Sequence, residues 1–224
     1  MKKALFVTSA IVLMLVVASC ALLEKQPKSV TVDGTLTDWE GYLYTDNAND
    51  SQWGGNNEIY QAGIRFDEKN LYIAGVFTKE NMNNLMVMVD LSGVTGASDT
   101  SNHPWNRKYK FENGDVDFVL ETWGDGYTAW TFTASEATEA TGTFANTTTE
   151  DGKKIVEFAI PLSKLGVTNA VGLSVKAVFV ITGGFDQGTQ WAGDFYPNQG
   201  FETGSGGYEA PIVIKNVVTY PTQE

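Results

Sequence analysis

The feature that most narrows the fold is a pair of segments, Glu58–Phe66 and Leu71–Thr78, separated by Asp67-Glu68-Lys69-Asn70. In the first, Tyr60, Ala62, Ile64 and Phe66 fall on one side, and Gln61, Gly63 and Arg65 on the other. That is the period-two pattern of a strand with unlike faces. The return segment is strongly apolar and the residues between are polar, so the pair predicts a β-hairpin.

Further strand patterns follow along the chain. Leu85–Asp90 sets Met86 and Met88 against Leu85, Val87 and Val89. Asp115–Thr122 puts Val116, Phe118 and Leu120 on one face and Asp115, Asp117 and Glu121 on the other. The turn Trp123-Gly124-Asp125-Gly126 leads into Tyr127–Thr133, and 134–150 reads as weak strands and a solvated loop. Lys154–Ile160 turns Val156, Phe158 and Ile160 inward, and Pro161–Gly166 reads as one helical turn stopped by glycine. Val171–Thr182 is the longest apolar strand, and Ala210–Tyr220 closes the chain. Upstream, Val30 and Val32 mark a short strand, about 29–33, that runs into an Asp33–Gly34 turn and a second acidic turn with Trp39; the later strands are expected to return to the layer it begins. Residues 42–58 read as a long loop or a partly formed edge, and 91–108 and 183–201 as long loops. With 23 glycines, no internal repeat and no long helical period, the chain predicts an all-β, antiparallel β-sandwich of immunoglobulin-like or jelly-roll type, one domain over 29–224.

The first residues carry different information. Lys2 and Lys3 precede the apolar run Ala4–Val17, and Val17-Ala18-Ser19-Cys20 ends it with small residues. This resembles a bacterial lipobox, with 1–19 a signal peptide, Cys20 the lipidated (palmitate-bearing) first mature residue and 20–28 a linker. An ordinary signal peptide or an uncleaved anchor helix are the alternatives; each places the domain outside the cytoplasm. Ala21 in place of Asp points weakly toward an outer membrane or surface over an inner membrane. The lone cysteine has no internal disulfide partner. A net charge of −12 argues against nucleic acid and against an anionic membrane surface, so membrane contact is expected through the lipid alone.

Six tryptophans and nine tyrosines suit sugar binding, because pyranose C–H faces stack on flat rings while hydroxyls need amides, carboxylates or Arg. Trp53 beside Gln52 and Asn56, Trp105 beside Asn106 and Arg107, and Trp191 beside Gln190 and Asp194 lie in expected loops; Tyr196 shares the last of these. The expected ligand residues are Trp53, Trp105, Arg107, Trp191 and Tyr196. The bland alternative is that these rings cap or fill the core. Enzyme chemistry finds little support. His103 is the only histidine, which leaves no zinc site built on several imidazoles and no motif for a triad. Asp117 and Glu121, four apart on one strand face, stand ~13 Å apart at ~3.3 Å per residue, too far for a glycosidase pair.

Val30–Glu40 (V-T-V-D-G-T-L-T-D-W-E), Asp67–Ala74 (D-E-K-N-L-Y-I-A) and Val156–Gly166 (V-E-F-A-I-P-L-S-K-L-G) resemble segments of family 9 carbohydrate-binding modules. Trp105–Arg107, Asp115–Gly124 and Asp194–Asn198 are similar to a sister group, the glucodextranase-type C-terminal domains of amylolytic and pullulanase-like surface proteins. The resemblance spans most of 29–220 and implies a β-sandwich that binds a poly- or oligosaccharide between aromatic side chains, often with structural Ca²⁺. Calcium takes six to eight oxygen ligands. Among Asp33, Asp38, Asp46, Asp50, Glu58, Asp90, Asp115, Asp117 and Asp194, the expected ligands are Asp33, Asp38, Asp90 and Asp194. A glycoside hydrolase or transporter is the implied partner. An envelope adaptor with the same fold is the alternative. Related DOMON-type sandwiches hold haem through Met and His, here His103 with Met86 or Met88, but no C-x-x-C-H motif is present and no haem is expected.

Overall fold

A computed structural model describes residues 29–183, 192–200 and 211–221. The segment 1–19, the lipidation candidate Cys20 and the linker to residue 28 lie outside the described residues, as does Trp191. No helix among the described residues is long and apolar enough to cross a membrane.

Among the described residues fourteen strands follow in chain order. They are β1 (Leu43–Thr45), β2 (Ile59–Phe66), β3 (Asn70–Phe77), β4 (Asn84–Leu91), β5 (Tyr109–Phe111), β6 (Phe118–Thr122) and β7 (Tyr127–Phe132). Then come β8 (Ala137–Glu139), β9 (Thr143–Thr148), β10 (Lys154–Pro161), β11 (Val175–Thr182), β12 (Ala192–Tyr196), β13 (Ile212–Ile214) and β14 (Val218–Tyr220). The first sheet has the order β1-β2-β3-β10-β9 and the second β12-β11-β4-β6-β7-β8, all antiparallel. β14 pairs with β11 over Val175–Ala177, along the strand from where β12 pairs over Phe179–Thr182. The exception is a parallel ribbon of β13 on β5. The protein is thus a single all-β, antiparallel, sandwich-like domain, and the hairpin 58–78 is present as β2 and β3.

Three apolar clusters explain why so many strands are buried on both faces. The main core lies between the sheets and takes Ile64, Ile73, Val87, Phe118, Phe158 and Phe179. A second, on the outer face of the second sheet, takes Met86, Met88, Val119 and Trp130 and is roofed by Tyr109, Phe111, Ile212 and Ile214 from β5 and β13. β4 therefore feeds two cores, Leu85, Val87 and Val89 to one and Met86 and Met88 to the other, as its alternation predicts. The third cluster covers the outer face of the first sheet with Val30 and Trp39 on Tyr72, Ala74 and Ala159. Each large apolar side chain removed from water in these layers is worth ~1.5–3 kcal/mol.

Several expectations change. Residues 29–33 form no strand: Val30 is buried, but the backbone N–H groups of Asp33 and Gly34 donate to the Glu157 carboxylate at 3.0 and 2.7 Å. The Val alternation there reports one buried side, not a ladder. In β2 the register slips between Ile59 and Gln61, a bulge that lets Ile59 join Ala62, Ile64 and Phe66 in the main core. Val116 sits in the second core, apart from Phe118 and Leu120, because regular pairing of β6 begins only at Phe118. The expected last strand divides into β13 and β14, the 183–201 loop contains β12, and the apolar strand expected over 171–182 starts at Val175; the partly formed edge allowed for 42–58 is β1.

The covering segment 29–42 is held by one side chain. Glu157 points outward from β10, is fully buried, and accepts from Asp33 N, Gly34 N and Trp39 Nε1, the last at 2.8 Å. Trp39 lies flat over Gly63 of β2, where a Cβ would come within 2.8 Å of the ring. Arg65 donates to Asp38 O and lies 3.9 Å under the Tyr42 ring. Loss of the Glu157 carboxylate strands three donors, one of them on a buried indole. E157A is expected to lower the unfolding free energy by roughly 3–5 kcal/mol, measured by urea unfolding, with a red shift of tryptophan emission; E157Q, which keeps one acceptor oxygen, is expected to lose less.

Candidate functional site

One end of the sandwich brings β1, the 46–58 loop and β12 together. Gln52 N and Ser51 Oγ donate to Gly193 O at 2.7 and 3.1 Å, and Trp53 packs on Gly193 so closely that a Cβ there would lie 2.4 Å from the ring. Fully buried Glu58 accepts from Asn49 N at 3.0 Å and Ser51 N at 3.4 Å, which folds the loop back on the start of β2. Asp194 of β12 accepts from Ile59 N at 2.7 Å and Phe195 N at 2.8 Å.

This closure sets carboxylate oxygens of Asp46, Asp50 and Asp194 within 4.8 Å of one another. Asp46 Oδ1 accepts from Asn47 N at 2.8 Å and Asp50 Oδ2 from Asn198 Nδ2 at 2.9 Å. Asp46 Oδ2 and Asp50 Oδ1 are buried and have no donor among the described residues. Burial, and next the negative charges of Asp50 and Glu58, push the Asp46 carboxyl up to about 7. Asp194 is likewise raised to about 7, first by burial, against the opposing Ile59 N–H bond, with Asp46, Glu58 and Asp50 adding repulsion. Glu58 is raised by burial. The donor set is all oxygen, as a hard cation such as Ca²⁺ requires.

Beside this cluster lies an open groove of about 510 Å³ lined by Tyr44, Ser174, Lys176, Tyr196, Pro197 and Thr219. The Tyr44 and Tyr196 rings face it as a pair with centroids 6.1 Å apart and a tilt of 33°. The Tyr196 phenol is raised by burial and then by the Asp46 charge, so groove and carboxylates share one electrostatic environment. Tyr220 continues the aromatic run beyond the groove, edge-on to Tyr42 at 6.1 Å and to Phe66 at 5.2 Å.

The residues expected from sequence do not form one site. Tyr196 lines the groove, but Trp53 is half-buried against Gly193 and the main core. Trp105 and Arg107 stand elsewhere, in the layer over the outer face of the second sheet. Arg107 is fully buried, a correction to its expected role at a sugar-contacting surface. Its Nε and Nη2 each meet one oxygen of the Glu121 carboxylate at 2.8 Å, and Nη1 donates to Gly183 O. Asn84 donates to Glu121 as well. Trp105 is half-buried, its ring 6.5 Å from that of Trp123 and 5.3 Å from that of Trp130. Trp191 lies outside the described residues.

The expected metal set is likewise redistributed. Asp33 caps its own turn through Thr35 N and Oγ1 at 2.9 and 2.8 Å, and Asp38 accepts from Thr31 N at 3.0 Å. Both belong to the segment over the first sheet. Asp90 pairs with Lys176 at 2.9 Å. Asp194 alone joins a carboxylate cluster, with Asp46 and Asp50 rather than the other three. Tyr44, Lys176 and Thr219 were not singled out in the sequence; the Tyr44-Thr45-Asp46 spacing, aromatic and acid two apart, is the one local signal for the first of them.

His103 is buried with one ring nitrogen, Nδ1, hydrogen-bonded. Nδ1 accepts from Trp105 N at 3.1 Å, and Nε2 stands 3.2 Å from Glu121 Oε1. Trp130 and Phe132 flank it, and Met86 and Met88 are packing residues of the same cluster. Burial, set against the Glu121 charge and reinforced by Arg107, pulls its pKa from 6.5 down to about 4.

No protein-family model matches the chain and no curated protein matches it, so the reading of the site rests on its geometry.

The His103 shift has a defined sign. Between pH 6.5 and about 4 the unfolded chain takes up a proton that folded His103 refuses. Stability is therefore full above pH 6.5 and falls as pH drops through that window, by up to ~3 kcal/mol. H103Q is expected to remove this component: its unfolding free energy relative to the wild type, from urea unfolding at several pH values, should rise as pH falls from 6.5 to about 4, whatever the carboxyls add to both proteins.

Proposed function

We propose that this protein is a non-catalytic carbohydrate-binding domain, held outside the cytoplasm by lipid on Cys20, that presents a poly- or oligosaccharide to a neighbouring glycoside hydrolase or transporter. The observation that carries the reading is the tilted Tyr44–Tyr196 pair in an open groove, 6.1 Å between centroids, with polar groups along its floor. Rings exposed on one side offer flat apolar surface to pyranose C–H faces, and their hydroxyls with those of Ser174 and Thr219 offer partners to sugar oxygens. Both rings sit on strand ends pinned by packing, so little order has to be gained on binding. An open trough suits a chain that passes through, rather than a small molecule that is enclosed.

Two observations favour binding over catalysis. The lone histidine is sealed among Trp105, Trp130 and Phe132. Lys176, the cation of the groove, is already committed to Asp90 and to Asn113 O, both at 2.9 Å.

The test is binding of α-glucans, β-glucans, xylans and mannans to the full-length protein, read by thermal shift and by calorimetry. One glycan class is expected to raise the melting temperature by several degrees. Y44A and Y196A are each expected to weaken that glycan at least ~10-fold, since each removes a stacking surface worth more than ~1 kcal/mol, while W105A leaves its affinity unchanged. Absence of a shift with every class, or affinity indifferent to Tyr44 and Tyr196, sinks the reading in favour of a protein partner in the envelope.

A further inference from the structure

We propose that Asp46, Asp50 and Asp194 hold a calcium ion, and that this ion locks the 46–58 loop to β12 and thereby sets the Tyr44–Tyr196 groove. The second half rests on the glycan-binding reading above; the first does not.

The spacing fits the ion. Oxygens bound to one Ca²⁺ at ~2.4 Å stand at most ~4.8 Å apart, and the three carboxylates meet that limit. Clustered acids alone would say little, but here two oxygens have been taken out of water with nothing in return. Asp46 is only 9% exposed, and its Oδ2, like Asp50 Oδ1, finds no donor among the described residues. A buried, unpartnered carboxylate oxygen is costly, and burying two beside each other adds repulsion. No Lys or Arg among the described residues pairs with any of the three. The other oxygens are held in place by backbone or amide donors, Asn47 N on Asp46, Asn198 Nδ2 on Asp50, and Ile59 N and Phe195 N on Asp194. Asp46 and Asp50 are thus each oriented by a bond to one oxygen and left open at the other, the arrangement a cation completes, while both Asp194 oxygens are aimed by N–H donors.

The chemistry selects the ion. The cluster offers no nitrogen or sulfur, which disfavours zinc and copper, and its ligands come from an irregular loop and a strand rather than from an octahedral cage. Calcium accepts such geometry, with carbonyls and water filling the remaining positions. The same bond set explains the link to the groove. Asp194 lies two residues before Tyr196, and Asp46 two after Tyr44. An ion that joins Asp46 to Asp194 therefore joins the strand ends that carry the two rings.

The decisive experiment is calorimetry and thermal unfolding of the full-length protein in chelator, CaCl2 and MgCl2 at matched ionic strength, with D46N and D50N alongside. Each substitution keeps the bonded oxygen and puts an amide where an unpartnered oxygen stands. Calcium at 100 times its Kd is expected to raise the melting temperature of the wild type by ~5–10 °C, and magnesium to do so far less. D46N and D50N are expected to weaken calcium at least 10-fold, yet to melt higher than the wild type in chelator, because repulsion is relieved. A side chain with a merely structural role would give the opposite sign in chelator. No calcium response beyond that of magnesium, or a response that survives in both variants, overturns the site. Glycan affinity is expected to fall at least 10-fold in chelator; equal affinity with and without calcium overturns the coupling while leaving the metal. Calcium binding without any glycan binding keeps the site and removes the glycan reading.

Discussion

Three glutamates, Glu58, Glu121 and Glu157, sit on strands or strand starts with no exposure to solvent, and each is ringed by donors from an irregular segment. A carboxylate buried on a sheet face is tolerated only if its oxygens are bonded. The need runs both ways here, because the segments that supply the donors have no ladder of their own to satisfy them. Glu157 takes the N–H groups of the 29–42 cover and the Trp39 indole; Glu121 takes the Arg107 fork and the Asn84 amide; Glu58 takes the 46–58 loop. Apolar packing gives these layers their area, and the glutamates fix where each one lies.

The site differs from those anchors in one respect. The oxygens of Glu157 and Glu121 all accept hydrogen bonds, whereas Asp46 Oδ2 and Asp50 Oδ1 have no donor among the described residues. Satisfied carboxylates make a rigid scaffold; unsatisfied ones at the joint between a loop and an edge strand are poised for a ligand. Asp117 Oδ1 is buried without a donor as well; the groove end differs in that two such oxygens belong to one cluster.

Much of the fold was legible because period two survives burial. The 58–78 hairpin, β4 and β10 read correctly from alternation or from apolar runs, and β11 is present but starts at Val175 rather than Val171. What failed shows what alternation measures. Val30 and Val32 alternate because one side of the segment is covered, and Glu157, far off in sequence, replaced the partner strand that the pattern suggested. The site was less legible. Trp53, Trp105 and Arg107 sit in loops beside polar neighbours, which is how a sugar site looks in sequence, but these loops fold down as roofs over apolar clusters. Tyr44 and Tyr196 lie on different sheets, and only the meeting of two edges makes them a pair. Asp194 was visible as a strand-flanking acid; that Asp46 and Asp50 are its companions depends on the same meeting of edges.

The segment over the first sheet has a mechanical consequence. Residues 29–42 are joined to the sandwich through apolar packing of Val30 and Trp39, the bonds to the Glu157 carboxylate and the Arg65 contacts to Asp38 O and Tyr42, with no strand ladder between them. Tension applied from the N-terminal side therefore reaches Trp39 and Glu157 before it reaches any strand edge. Side-chain contacts of this kind carry load one after another, whereas the backbone pairs of the two sheets share it.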